Sequence, residues 1–409
     1  MEKNLELLCP AGSPEALRAA VDFGADAVYL AGKAFGMRTA SRNFDEAELR
    51  AGIAYAHARG VQVHVTCNTM PRNRELADLP AFLELAADAG ADALIVADPG
   101  IMELAKAYAP ELPLHASVQA GVTNYGTARA LYNMGASRVV LARELTLEEI
   151  AEIRARTPAD LELEAFVHGA VCISESGRCL LSYYMTGRDA ARGDCAQPCR
   201  WKYALVEEKR PGQYFPIADT EGGSYILNAK DLCMAGHMPD LIRAGVTSFK
   251  IEGRAKSAYY AAVTAAAYRA VLDACREAPD APPPHWALEE LEKISHRPYS
   301  TGFYYGNPEQ EPIKGGYIRS CRLAAVVLDW QDGILTVAQR NKFTRGQVLD
   351  CLQPGGPSFP VAVGEMFDGD GSPIDAAPHA EMTVRIPCLR PVRPGAFLRM
   401  EWEEEKADD

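Results

Sequence analysis

The 409-residue chain is as informative in what it lacks as in what it holds. No apolar run approaches the roughly 18 residues that a membrane-spanning helix needs. The opening MEKNLELLCPAG has neither the basic n-region nor the apolar h-region of a secretory leader, so a cytoplasmic protein is expected. Positive charge is in deficit: the formal net charge is −13, which argues against indiscriminate binding to nucleic acid but leaves room for a local basic site. No G-x-S-x-G or H-E-x-x-H occurs, which removes two common hydrolase signatures. No G-x-G-x-x-G opens a helix after a strand, which weighs against a dinucleotide-binding open sheet. Apolar content of 48% and charged content of 24% are those of an ordinary globular protein.

Cysteine is abundant by contrast. There are 11, an odd number, which complete internal pairing cannot satisfy, and reduced thiols suit a cytosolic setting. Four of them (Cys172, Cys179, Cys195 and Cys199) fall within 28 residues, spaced C-x6-C-x15-C-x3-C among glycines and basic residues. Thiolates converging on a cation are neutralised by it, so the spacing predicts a metal site. It is looser than the short knuckles of most structural zinc sites and suits an iron–sulfur cluster at least as well. Structural zinc, or small buried thiols with no metal, are the alternatives. Cys233 competes with Cys195 or Cys199 as fourth ligand. Cys9 and Cys67 read as strand-end core residues, and Cys275, Cys321, Cys351 and Cys388 as structural.

Around this segment a rhythm repeats. A helical stretch ends at glycine and gives way to an apolar run, as in FGADAVYL, RGVQVHV, AGADALIV, MGASRVVL and AGVTSFKI. With Leu5–Cys9, Leu114–Val118 and Leu161–Phe166 there are eight candidate strands. SPEALRAAVDFG, with Ser13 and Pro14, and TLEEIAEIRART, with Thr146 and Glu149, carry helix-start signals. The pattern predicts a (β/α)8 TIM-like barrel over residues 1–275, with a cysteine-rich insertion at about 169–238 in the loop after the seventh strand. Residues 276–316 read as a connector. Residues 317–402, with short strands and turns such as Asp332-Gly333 and Asp370-Gly371, read as a small β-barrel, and 403–409 as an acidic tail.

Strand-end residues are the candidates for chemistry in such a barrel. Alternation puts Lys250, Glu252 and Arg254 on one face, where the cations could take a carboxylate or phosphate, or else form a salt bridge at the barrel mouth. His168, four residues before Cys172, is a candidate proton donor or partner of the metal ligands. Other strand-end candidates are Asn68, Asp98, Ser117, Gln119, Arg143 and Glu144. Segment 178–202 carries Arg178, Arg188, Arg192, Arg200 and Lys202 against two acids, a candidate RNA-binding surface.

The run EAFVHGAVCISESGRCLLS, with LELLCPAGSPEAL, FKIEGRAKS and RNKF, resembles the collagenase-like peptidases of unassigned catalytic type, peptidase family U-thirty-two. That resemblance covers nearly the whole chain. It implies a cysteine-bound iron–sulfur cluster, of the 4Fe-4S type, and oxygen-independent hydroxylation. The branch with a fused C-terminal barrel implies tRNA as partner, 5-hydroxyuridine at the wobble position as product and prephenate as carboxylate cosubstrate. It also allows a homo- or hetero-oligomer with a family paralogue. Proteolysis, as the family name says, and a zinc-stapled RNA-binding protein are the competing readings.

Overall fold

A computed structural model describes residues 5–37, 41–172, 179, 181–201, 204–205, 215–216, 230–279, 281–306, 308 and 317–401. Seven parallel strands come first: β1 (Glu6–Pro10), β2 (Ala27–Leu30), β3 (Gln62–Cys67), β4 (Ala93–Val96), β5 (Leu114–Ala116), β6 (Ala136–Val140) and β7 (Glu162–Ala170). Two short strands, β8 (Ala204–Leu205) and β9 (Phe215–Pro216), pair with each other, and β10 (Asp231–Cys233) runs antiparallel to β7. The last barrel strand, β11 (Ser248–Ile251), pairs with both β1 and β7, so the eight parallel strands close on themselves. A two-residue strand, β12 (Tyr299–Ser300), extends the edge beyond β10.

Helices α1 (Pro14–Asp22), α2 (Glu46–His57), α3 (Leu79–Asp88), α4 (Pro99–Tyr108), α5 (Tyr125–Asn133) and α6 (Leu147–Arg156) connect the first strands. After β7 come α7 (Leu181–Thr186) and α8 (Met238–Ala244), then α9 (Ala258–Glu277) and α10 (His285–Leu291). The starts are chemically fixed. Ser13 Oγ accepts the Ala16 N–H, and Thr146 and Glu149 satisfy each other's backbone in a capping box. The stops are fixed too: Gly24, Gly60, Gly90, Gly135 and Gly245 all have positive φ, the left-handed turn that releases the chain into the next strand.

The outward faces of the strands pack on the helices in one large core. Inside the ring the apolar cluster is small, Leu8, Ala27, Tyr29 and Ile95. Much of the remaining interior is polar. Arg138 bonds Glu6, Glu162 and Glu164, and Ser248 Oγ lies 2.7 Å from Glu6 Oε1. His64 and His115 meet edge-on at 4.7 Å beside them.

The C-terminal part is an antiparallel sheet of eight strands between Cys321 and Glu401, with its own core. Among the described residues its pairing order is open, not a closed ring. It is joined firmly to the barrel. Phe397 packs at an angle against the rings of Phe23 and Tyr259, and fully buried Arg399 bonds Glu290 on α10, Tyr259 on α9 and Asp350 of its own sheet. Residues 402–409 lie outside the described residues.

Candidate functional site

At the C-terminal end of the barrel strands lies a cavity of about 1090 Å³, open mouth included. Its wall brings together what the sequence keeps far apart: Cys172, Cys179, Cys195 and Cys199 from the insertion, and Lys250, Glu252 and Arg254 from the end of β11. Asn68, Ser117, Gln119, Arg143 and Glu144 line it as well, whereas Asp98 instead caps α4.

Two glycines make room for this wall. A Cβ on Gly12 would sit 1.7 Å from the Arg254 carbonyl oxygen, and one on Gly169 would sit 2.4 Å from that of Glu252. No side chain fits at either place, so the strand end bearing Glu252 and Arg254 is held between two bare backbones.

Lys250 is 4% exposed, and its ammonium donates to Glu164 Oε1 at 2.7 Å while lying 4.4 Å from the centre of the Tyr29 ring. Glu164 is the upper end of the interior network through Arg138, so the cation on the cavity floor has a buried counter-charge. The Tyr29 hydroxyl donates to the Ile251 carbonyl at 2.9 Å and lies 3.4 Å from Glu252 Oε2. Arg254 is buried; one guanidinium nitrogen donates to Thr66 Oγ1 at 2.9 Å, and its carbonyl accepts from Ser41. Lys250 as counterpart of Glu164 and Tyr29 as cavity wall were beyond sequence reasoning. Glu164 stood in the motif, and only its interior-facing position, two residues before Phe166, hinted at the pairing.

The cysteine segment is tied to itself and to the barrel. Ser182 Oγ, fully buried, accepts the Ala196 N–H at 2.9 Å and so joins its two halves. Arg192 pairs with Glu75 in the loop after β3, holding that carboxyl at about 2, chiefly through the hydrogen bond itself. Cys179 Sγ and Cys195 Sγ each accept a backbone N–H two residues on, at 3.3 Å. Among the described residues no three Cys, His, Asp or Glu side chains meet closely enough to hold a metal ion. The thiols share one wall without converging on one point. As a donor set, four thiols on one cavity with N–H groups directed at two of them fit a thiolate-held group.

Three expectations need correcting. His168 does not reach the cavity. β7 carries one extra residue, Val167, between the pairs Lys250–Phe166 and Ile251–His168, and this bulge turns His168 to the outer face. There it packs among Tyr260, Tyr268 and Tyr299, and burial pushes it down to about 3, so it is neutral and removed from proton transfer to a ligand. Cys233 follows it outward: it pairs with His168 across β10, lies 3.8 Å from the Tyr268 hydroxyl and is not part of the cavity wall. The basic surface is also less free than its composition suggests, since Arg188 pairs with Asp194 at 2.8 Å and Arg192 with Glu75. Arg178, Lys202 and the Arg200 side chain lie outside the described residues. Cys9 and Cys67 are buried, with thiols pushed up by desolvation, as core residues should be.

Residues 12–314 match Peptidase family U32, and residues 319–399 match the Peptidase family U32 C-terminal domain. The chain belongs to peptidase family U32. Within the reach of the family, the chain is 37% identical over 427 residues to tRNA hydroxylation protein P of Escherichia coli, covering 93% of each chain. It is 44% identical over 304 residues to an uncharacterized protease of Methanocaldococcus jannaschii, 74% of this chain and 73% of that one. It is 39% identical over 303 residues to the 23S rRNA 5-hydroxycytidine C2501 synthase of Escherichia coli, 72% of this chain and 44% of that one. The family name states proteolysis, yet the described cavity wall holds no histidine, so none of its thiols has an imidazole base beside it.

Proposed function

We propose that this chain hydroxylates a tRNA base, forming 5-hydroxyuridine at the wobble position by a prephenate-dependent, oxygen-independent route that uses an iron–sulfur cluster. One observation carries the reading: the four thiols of the insertion line the same barrel-mouth cavity as Lys250, Glu252 and Arg254. A face of thiols and an anion-binding face then confront one space. The relatives named for hydroxylation of tRNA and of an rRNA cytidine support RNA pyrimidine chemistry over peptide hydrolysis.

In this reading Cys172, Cys179, Cys195 and Cys199 hold the cluster, which supplies redox chemistry that amino-acid side chains lack. The protein's own residues do the rest. Lys250 presents an ammonium that, among the described residues, donates to Glu164, leaving other N–H groups for a carboxylate. Glu252, whose Oε2 lies 3.4 Å from the Tyr29 hydroxyl, is the candidate to hold or move a proton on the base. Arg254, clamped between Gly12 and Thr66, fixes the wall on which both sit. Exposed Tyr183, Tyr184 and Trp201 on the cysteine segment offer faces on which neighbouring bases can stack.

The test is nucleoside analysis of tRNA from cells lacking this protein, with and without complementation. Loss of 5-hydroxyuridine derivatives, restored by the parent and not by Cys172→Ala, is the expected outcome. Protein purified without oxygen should carry iron and sulfide. Each of the four Cys→Ala changes should lower both sharply, whereas Cys233→Ala should not. Unchanged tRNA, together with Cys172-dependent cleavage of a denatured protein, would establish the peptidase instead.

A further inference from the structure

Arg143, just beyond β6, lines the cavity and, unlike Lys250, faces no acid among the described residues. Its guanidinium carbon lies 3.9 Å from the centre of the Phe166 ring, and Nη1 donates to the Ala170 carbonyl at 2.9 Å. The stack and the single main-chain anchor fix the plane of the fork. Among the described residues its polar contact is with a carbonyl, not with a carboxylate. Lys250, by comparison, is matched by Glu164, and Arg188 and Arg192 by Asp194 and Glu75. Lys250 Nζ lies 5.6 Å from the same Phe166 ring, so two cations approach one aromatic face-bearing residue from the cavity wall.

A half-buried guanidinium held flat, with its Nε–Nη2 edge unspent by the Ala170 contact, is shaped for two oxygens of one anion. We propose that Arg143 is the oxyanion anchor of this cavity, binding a carboxylate or phosphate group of the substrate through that edge, with the Lys250 ammonium as the second charge. The inference rests on the proposed function in taking this cavity as the reaction site. It also gives the two-oxygen contact to Arg143 rather than to Arg254, whose guanidinium is buried against Thr66.

Binding measurements test it without requiring turnover. Two probes separate the sources of the oxyanion: a synthetic anticodon stem-loop RNA with uridine at the wobble position, and benzoate as a small planar carboxylate. The full-length protein should bind at least one of them saturably. Arg143→Met, which keeps length and stacking bulk, should weaken that binding roughly 10- to 100-fold, as loss of a charged pair of hydrogen bonds requires. Loss in the RNA arm assigns a phosphate, and loss in the benzoate arm a carboxylate; either supports the anchor. If Arg143→Met does not fold, Arg143→Lys decides, because it keeps the charge and loses the fork, and it should still weaken binding several-fold. Binding of both probes unchanged in the variants, or neither probe bound by the parent protein, overturns the proposal. Arg143-dependent binding in a protein whose loss leaves the 5-hydroxyuridine content of tRNA unchanged would remove the hydroxylase reading and keep the anchor.

Discussion

Glu164 and His168 are four residues apart on one strand, yet they set opposite electrostatic conditions. Glu164 is wholly buried and bonded to Lys250 and Arg138. Glu164→Gln should destabilise the protein by about 3 kcal/mol in urea unfolding, because a buried ammonium loses its counter-ion. Adding Lys250→Met should recover part of that loss. Additive effects of the two changes would show that the pair is not coupled. His168 is held neutral, down at about 3, and His64 at about 4, each chiefly by burial. Both lie below the ordinary histidine value, so the unfolded chain takes up protons first. Stability is therefore full above about pH 6.5 and is lost as pH falls toward and through 4 and 3. The melting temperature should be flat from pH 7 to 8 and fall below 6.5, more shallowly in His168→Phe, whose ring suits the tyrosine cage. An identical acid slope in parent and variant would exclude His168 as a contributor.

Elements decide what could be read from the chain alone. Five of the eight barrel strands were legible because each is an apolar run placed after a glycine that cannot continue a helix, as at Gly24 and Gly245, and β1, β5 and β7 as apolar runs in the same rhythm. The cavity cysteines were legible as a group because they crowd one segment. His168 was not, since a single inserted residue in β7 reverses the alternation that sequence reasoning counts on, and bulges leave no composition signal. Nor was the partner of Lys250 or the setting of Arg143 legible, because both depend on which strands become neighbours. The pairing of Arg192 with Glu75 was equally hidden, joining positions 117 apart. That strap carries a prediction of its own. Glu75→Gln should raise amide hydrogen exchange in residues 181–199 several-fold, and lower iron content if these cysteines hold the proposed cluster, while shifting global stability by under about 1 kcal/mol, as expected of a partly exposed pair. Exchange unchanged from the parent would show the strap to be incidental.

For the molecule as a whole, Arg399 is the rivet. It is fully buried, and its partners lie on α9, α10 and the C-terminal sheet. Arg399→Met should cost about 3–5 kcal/mol, because Glu290 is left buried and unpaired, and Glu290→Gln in the same chain should return much of it. Chemical unfolding should then show one transition in the parent protein and two in Arg399→Met, as barrel and sheet come apart. A single unshifted transition in the variant would mean that Phe397 and its neighbours suffice for the joint.

The closure of the ring has a consequence in time. β11 seals the barrel between its first strand and its seventh, and it carries the cavity's lysine. The ribosome makes that strand last among the eight, after every cysteine of the insertion. A nascent chain therefore displays the four thiols before the wall facing them exists. If these thiols hold the proposed cluster, its delivery during synthesis would meet an open loop, whereas delivery afterwards would have to pass the mouth of a finished cavity. Ribosome-bound chains stalled before and after residue 254 should differ in how fast a bulky maleimide labels Cys172 and Cys179, the earlier stall being the faster.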